Sequence, residues 1–161
     1  GDPDAGLVFR GRIAEDFKLS TGTFVRVGAV RTALLSSVPA LSDAVITGEN
    51  RDYAAALAWL NPGEARKLLG RDPVPPDGEM VTDPDLLGLI AGALARHNGS
   101  HGSAARIERL LVMARPAALD AGEITDKGYV NQRKVLAERA AFVDLLYTDP
   151  PPPGVIRPRD A

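Results

Sequence analysis

From Gly6 to Val27 the chain reads GLVFRGRIAEDFKLSTGTFVRV. Apolar and polar side chains alternate well enough for two strands, with Gly11-Arg12 and Ser20 to Thr23 as turn-forming punctuation. Val27, Val30, Leu34 and Leu35 then fall at helical spacing, and Pro39 stops that helix. LSDAVITGENRDYAAALAWL predicts strand, turn, strand: Ala44 to Ile46 is a short apolar run, Gly48 to Asp52 is turn-rich, and Tyr53 to Leu60 is a second apolar run. Pro62 to Pro84 concentrate prolines and glycines and predict an irregular loop, with a short helix over Glu64 to Leu69. Asp83-Pro84 starts a helix, with Asp as N-cap and Pro at the first helical position. That helix buries Leu86, Leu87, Ile90, Ala93 and Leu94, and Asn98-Gly99 supplies a left-handed stop. IERLLVMARP predicts a third central strand, AALDAGEITDKGY a loop, and VNQRKVLAERAAFVDLLY one amphipathic helix. The tail TDPPPPGVIRPRDA can build neither helix nor ladder and is expected to be disordered.

The order hairpin, helix, strand pair, helix, strand, helix predicts an α+β domain: an N-terminal β-hairpin, then a small three-stranded sheet flanked by helices. Residues 1–10 are expected to end a linker, 11–148 to form the domain, and 149–161 to be the Pro-rich tail. There is no internal repeat.

Composition narrows the function. The 161 residues suffice for one domain with a real core. A formal net charge of -2 gives no broad basic field for a nucleic-acid backbone or an anionic membrane, so neither partner is expected. No apolar run approaches bilayer length. The chain has no cysteine, which removes disulfides and thiolate metal sites and suits a reducing, cytoplasmic setting. The first residues, GDPDAGLVF, lack both signal-peptide regions and an initiator methionine, and the expectation is a fragment of something longer.

Most self-contained chemistry is missing. His97 and His101 stand four apart, but Asn98-Gly99 falls between them and no acid or cysteine completes a ligand set, so no metal site is expected. There is no G-x-S-x-G elbow, P-loop or G-x-G-x-x-G. Asp85, Glu108, Glu138 and Asp144 are scattered over predicted surfaces. Two stretches remain. GRIAEDFKLSTGTFV, Gly11 to Val25, puts an arginine, acids and a lysine ahead of a small polar loop. GEITDKGYVNQR, Gly122 to Arg133, places Lys127 in a Gly-flanked loop just before a helix, where an ammonium can reach a phosphate or carboxylate. Taken alone, each also reads as a solvated hairpin or turn.

Together the two stretches resemble the small C-terminal domain of adenylate-forming enzymes, which include acyl- and aryl-CoA synthetases. That family's hairpin motif begins Gly-Arg, has a lysine six residues after the arginine, and continues into a glycine loop and a Val-rich strand. Here these are Gly11-Arg12, Lys18, Gly22 and Val25. SDAVITG resembles the family's central strand, and EITDKGYVNQR resembles its late lysine motif. GRIAEDFKLSTGT with GEITDKGYVNQR is most similar to feruloyl-CoA synthetases and related bacterial ligases.

The resemblance implies an AMP-forming acid–CoA ligase that works with Mg-bound ATP and coenzyme A, shared with a large N-terminal domain that also holds the carboxylic acid. It implies Lys127 as the catalytic lysine of acyl-adenylate formation. It implies nucleotide contact at Arg12, and a cofactor-facing hairpin at Lys18, Ser20, Thr21, Gly22 and Thr23. The hinge falls at Ala14 or Glu15. A hydroxycinnamate such as ferulate is the first substrate implied, a fatty acid the second, and the chain alone is expected to be inactive. Two further readings stand beside this one. The first is a non-catalytic binding or scaffold module of the same fold, favoured by Ala14 at the usual hinge position and by Arg31 where the family often carries an acid. The second is a small domain acting in trans on a separate large one.

Overall fold

A computed structural model describes residues 15–76 and 78–158. Arg12, Ala14 and the linker end expected over residues 1–10 lie outside them. The hairpin forms as its alternation predicts. Strands β1 (Phe17–Lys18) and β2 (Phe24–Val25) pair antiparallel, Phe17 opposite Val25 and Lys18 opposite Phe24. The first pair is buried and the second faces outward. Helix α1 (Val27–Ser37) follows at once, and the Asp16 carboxylate accepts the Val27 amide at 2.9 Å in its first turn.

The central sheet has the order β3 (Leu41–Thr47), β4 (Ala55–Leu60), β5 (Arg109–Met113). β3 and β4 run antiparallel through a short turn. β4 and β5 run parallel, and the crossover that parallel pairing demands carries α2 (Pro62–Leu69) and α3 (Pro84–Ser100). Strand alternation divides the core in two. Ala44, Ile46, Ala56, Ala58, Leu110 and Val112 point to the face covered by α1 and α3, against Val30, Leu34, Leu86, Ile90 and Leu94. Val45, Leu57, Trp59, Leu111 and Met113 point to the other face, against Val135 and Leu146 of α4 (Gln132–Glu138) and α5 (Ala140–Leu146). This is the expected α+β domain. Among the described residues no helix is long and apolar enough to cross a membrane.

Three expectations are corrected. Asn98-Gly99 does not stop α3, which runs on to Ser100. Asn98 is buried instead, its amide donating to the Ile107 carbonyl at 2.8 Å and accepting the Ile107 amide at 2.9 Å, so a tertiary partner outcompetes the left-handed cap. His97 is likewise a packed side chain, with Nε2 2.8 Å from the Ala105 carbonyl and Nδ1 3.1 Å from the Ser37 hydroxyl. The single last helix is two helices, broken at Arg139. The tail is not free over its described length. Pro150 to Pro153 make no ladder, but Ile156 is buried and exchanges both backbone hydrogen bonds with Leu110, at 2.7 and 2.9 Å, covering the outer edge of β5.

The start of α3 is held by charge. Asp83 is fully buried and caps the helix, accepting the Asp85 and Leu86 amides at 3.1 and 3.2 Å. It also takes both arms of Arg71, at 2.8 and 3.2 Å, and the Val74 amide at 2.7 Å. The Arg71 guanidinium first, and these amides after it, hold the Asp83 carboxyl well below the usual carboxylate range. A folded pKa below the unfolded one gives stability that is whole above about pH 5 and drains away as the pH falls through the carboxylate range. Asp83→Asn is therefore expected to be less stable than the parent near neutral pH, with the gap narrowing by about pH 3 in urea titrations run across pH. A gap that stays constant would remove Asp83 as the acid-sensitive element.

Candidate functional site

The hairpin loop Ser20 to Thr23 turns on Gly22, whose φ of +91° only glycine adopts readily. The Gly22 amide donates to the Leu19 carbonyl and the Leu19 amide to the Thr23 carbonyl, both at 2.9 Å. The Thr21 and Thr23 hydroxyls lie 3.1 Å apart. This loop is stapled to the turn between β3 and β4. The Ser20 amide donates to the Arg51 carbonyl at 2.8 Å, the Ser20 hydroxyl to the Asp52 carboxylate at 2.7 Å, and the Asn50 amide to the Lys18 carbonyl at 3.0 Å. Gly48 permits the close approach, because a Cβ there would stand 3.0 Å from the Tyr53 carbonyl and 3.1 Å from a Leu19 methyl. Among the described residues the Lys18 ammonium forms no hydrogen bond or ion pair, and it points out from a fixed backbone.

Lys127 sits at the tip of a second, smaller hairpin. Ile124 bridges to Val130, the Thr125 amide donates to the Tyr129 carbonyl at 2.7 Å, and the Gly128 amide donates to the Thr125 carbonyl at 2.9 Å. The Thr125 hydroxyl accepts the Tyr129 amide at 3.2 Å. Gly128 has a φ of +86°. Lys127 is exposed, makes no ion pair among the described residues, and stands beside Tyr129, 59% exposed.

The base of this hairpin is a buried ion pair. Arg139 donates to Glu123 through Nε at 2.8 Å and through Nη2 at 3.0 Å, and both residues are almost wholly buried. Two more guanidinium protons go to the Arg115 and Pro116 carbonyls, each at 2.8 Å. Glu123 also accepts the Ala118 amide at 2.8 Å. The Arg139 hydrogen bonds, ahead of any other cause, push the Glu123 carboxyl below its ordinary range. At the far end of the hairpin, Asn131 caps α4 by accepting the Lys134 amide, and Gln132 accepts the Ile46 amide at 2.8 Å.

The structure therefore groups Lys18, Ser20, Thr21, Gly22 and Thr23 in one place and sets Lys127 in another. Phe17 and Val25 root the first hairpin in the core on the α1/α3 face, whereas Val130 belongs to the core on the α4/α5 face. Among the described residues no hydrogen bond or ion pair joins the two tips. Their bases approach around the β3 edge, where Glu15, Val27 and Arg31 share a cavity of about 50 Å³ with Val130 and Gln132. Arg31 is spent on Asp43, at 2.7 Å. Sequence reading missed Glu123 and Arg139. The signal was there: Val135, Arg139, Phe142, Val143 and Leu146 share one helical stripe, so a charge falls on the buried face and needs a partner.

A family model for the C-terminal domain of AMP-binding enzymes matches residues 16–150. The chain belongs to that family. It is 29% identical over 150 residues to the long-chain-fatty-acid–CoA ligase FadD15 of Mycobacterium tuberculosis and equally to that of Mycobacterium bovis. These matches cover 91% of this chain but only 25% of the ligases, so it spans about a quarter of their length. Among solved structures, the adenylation domain of a carboxylate reductase from Mycobacterium chelonae superposes with a TM-score of 0.66 at 22% identity, over 86% of this chain and 20% of that one. The adenylation domain of the Segniliparus rugosus carboxylic acid reductase, solved with AMP and a co-purified carboxylic acid, gives 0.61 at 26% identity, over 87% and 21%.

The left-handed turn residue behind Lys127 gives a direct check. Gly128→Ala places a Cβ in open space but at a strained φ, and is expected to destabilise the turn by about 1 kcal/mol. The Tyr129 amide should then exchange with solvent roughly fivefold faster. Unchanged exchange would mean that the turn does not depend on glycine.

Proposed function

We propose that this chain is the mobile C-terminal domain of an AMP-forming acid–CoA ligase. What supports the reading is a pair of exposed lysine-bearing hairpins in a domain of this family, one rooted in the α1/α3 core and the other in the α4/α5 core. In this reading a single active site on a larger N-terminal domain meets a different one of them in each step. The domain serves two steps by turning between them.

In the first step a carboxylate oxygen attacks the α-phosphorus of Mg-bound ATP, the bond to the pyrophosphate oxygen breaks, and acyl-adenylate and pyrophosphate form. Negative charge crowds between carboxylate and phosphate, and the Lys127 ammonium offsets it there. In the second step the thiol of coenzyme A attacks the acyl carbon, AMP leaves, and the thiol proton is lost. The Lys18 to Thr23 hairpin then faces the adenylate, and its small residues leave room for the pantetheine arm. Arg12 contacts the nucleotide near a hinge at Ala14 or Glu15.

The acid is not written in this domain. The first reading, a hydroxycinnamate such as ferulate, rests only on the resemblance of the two motif stretches to feruloyl-CoA synthetases. A fatty acid is the second reading, favoured by the curated relatives, which are long-chain-fatty-acid–CoA ligases.

Lys127→Ala in the full parent chain tests the assignment. Pyrophosphate exchange into ATP is expected to fall by about a hundredfold or more, the scale of losing one charge-stabilising group. Thioester formation from preformed acyl-adenylate should hold within about twofold. If neither step changes, Lys127 is an ordinary turn lysine. The 161-residue chain by itself is expected to make no thioester from ATP, coenzyme A and a panel of acids, and clear turnover would refute the dependence on a larger domain.

A further inference from the structure

The geometry points to the buried Glu123–Arg139 pair as the device that positions Lys127 for adenylation, an inference that rests on the role just given to Lys127. The argument starts from how much Arg139 holds. It lies in the break between α4 and α5, and its guanidinium lies 5.3 Å from the Trp59 ring centre, over the sheet. Its fork satisfies both oxygens of Glu123 and the carbonyls of Arg115 and Pro116. The end of β5, the loop after it, the hairpin base and the last two helices are therefore tied at one point.

From that point the restraint runs to the tip in short steps. The Glu123 carbonyl accepts the Asn131 amide at 2.8 Å, closing the hairpin at its base. Above it lie the Ile124–Val130 bridge and the Thr125–Tyr129 and Thr125–Gly128 hydrogen bonds, and then Lys127. On the far side, Gln132 fixes the start of α4 to the Ile46 amide at the sheet edge. A hairpin this small has too little apolar contact of its own to stay ordered in water. Its order is borrowed from its base. A lysine carries a flexible stem, so the precision of its charge depends on the backbone that carries it, and small displacements of an electrostatic group cost rate rather than binding. Neither Glu123 nor Arg139 reaches the solvent-exposed tip, which makes them positioning residues rather than catalytic ones. Arg139 is not replaceable by lysine in this role, because an ammonium cannot supply a planar fork to four acceptors.

Two measurements decide it. In the 161-residue chain, Arg139→Lys and the milder Glu123→Gln are compared with the parent by amide hydrogen exchange. The Thr125, Gly128, Tyr129 and Asn131 amides are expected to exchange at least about tenfold faster, while Val45 and Leu57 in the sheet change less than about twofold. Equal acceleration of the sheet, or no acceleration of the hairpin, overturns the local role. If Arg139→Lys does not fold, Glu123→Gln carries the comparison. In the full parent chain the same variants are expected to lower kcat for adenylation by about tenfold or more, with KM for ATP and acid nearly unchanged. Thioester formation from preformed adenylate should be unaffected. Loss of both half-reactions together, or of neither, overturns the inference. Lys127→Ala in the same assay separates the two ideas. A selective adenylation loss there without one in the pair variants refutes the positioning role alone, and no loss in Lys127→Ala refutes both.

Discussion

A three-stranded sheet has two faces and two edges to cover, and that demand organises this domain. β4 is buried on both sides and reads AALAWL, with the small Ala56 and Ala58 toward α1 and α3 and the larger Leu57 and Trp59 toward α4 and α5. α1 and α3 take one face, and α4 and α5 the other. The edges need equal care, because an open edge strand templates unwanted pairing. On β5 the segment around Met80 bonds to Val112 and Ala114, and Ile156 bonds to Leu110. On β3 the Gln132 side chain takes the Ile46 amide. The loops that look irregular in sequence are the ones that finish the sheet.

Charged residues enter the interior only where their partners are complete. Asp83 receives five hydrogen bonds from Arg71 and three backbone amides. Arg139 gives two to Glu123 and one each to two carbonyls. Arg71 is half exposed, whereas Glu123 and Arg139 are both buried; burying a pair of that second kind stabilises little beyond what a hydrophobic contact would, but removing one member typically costs about 3–5 kcal/mol. Their value here is directional. Each holds an irregular segment, 71–83 in one case and 115–131 in the other, at a defined angle to a helix end.

How far the sequence revealed this follows from the range of each interaction. The β-hairpin, the central strands, α2 and the Asp83-Pro84 start of α3 are set by alternation, helical spacing and caps within a few residues, and they were legible. So was the turn that exposes Lys127, since Gly128 announces it. What failed was non-local. Asn98-Gly99 looks like a helix stop because its partner, the Ile107 backbone, lies nine residues on. The break at Arg139 depends on Glu123, sixteen residues earlier. The proline-rich tail reads as structureless until the open edge of β5 is known to need Ile156. The proposed site divides the same way: Lys18 to Thr23 and Lys127 are singled out by local motif, and the pair beneath Lys127 was hidden because its members belong to different elements.

In the proposed reading one small domain serves two chemical steps, and the sheet supplies two separate anchorages for it. Alternate residues of a strand face opposite sides, so the three-stranded sheet carries a separate apolar core on each face. The first hairpin roots through Phe17 and Val25 on one face and staples to the β3–β4 turn. The second roots through Val130 on the other face and hangs from Arg139. Both pack against cores of the same sheet, so in the proposed reading a turn of the whole body would exchange one for the other without remaking either. A domain that instead remodelled one loop for two steps would have to keep that loop soft, at the cost of placing its lysine loosely in both. In the proposed reading two rigid tips and one moving body avoid that conflict, and the buried arginine beneath Lys127 ties down the base of the second tip.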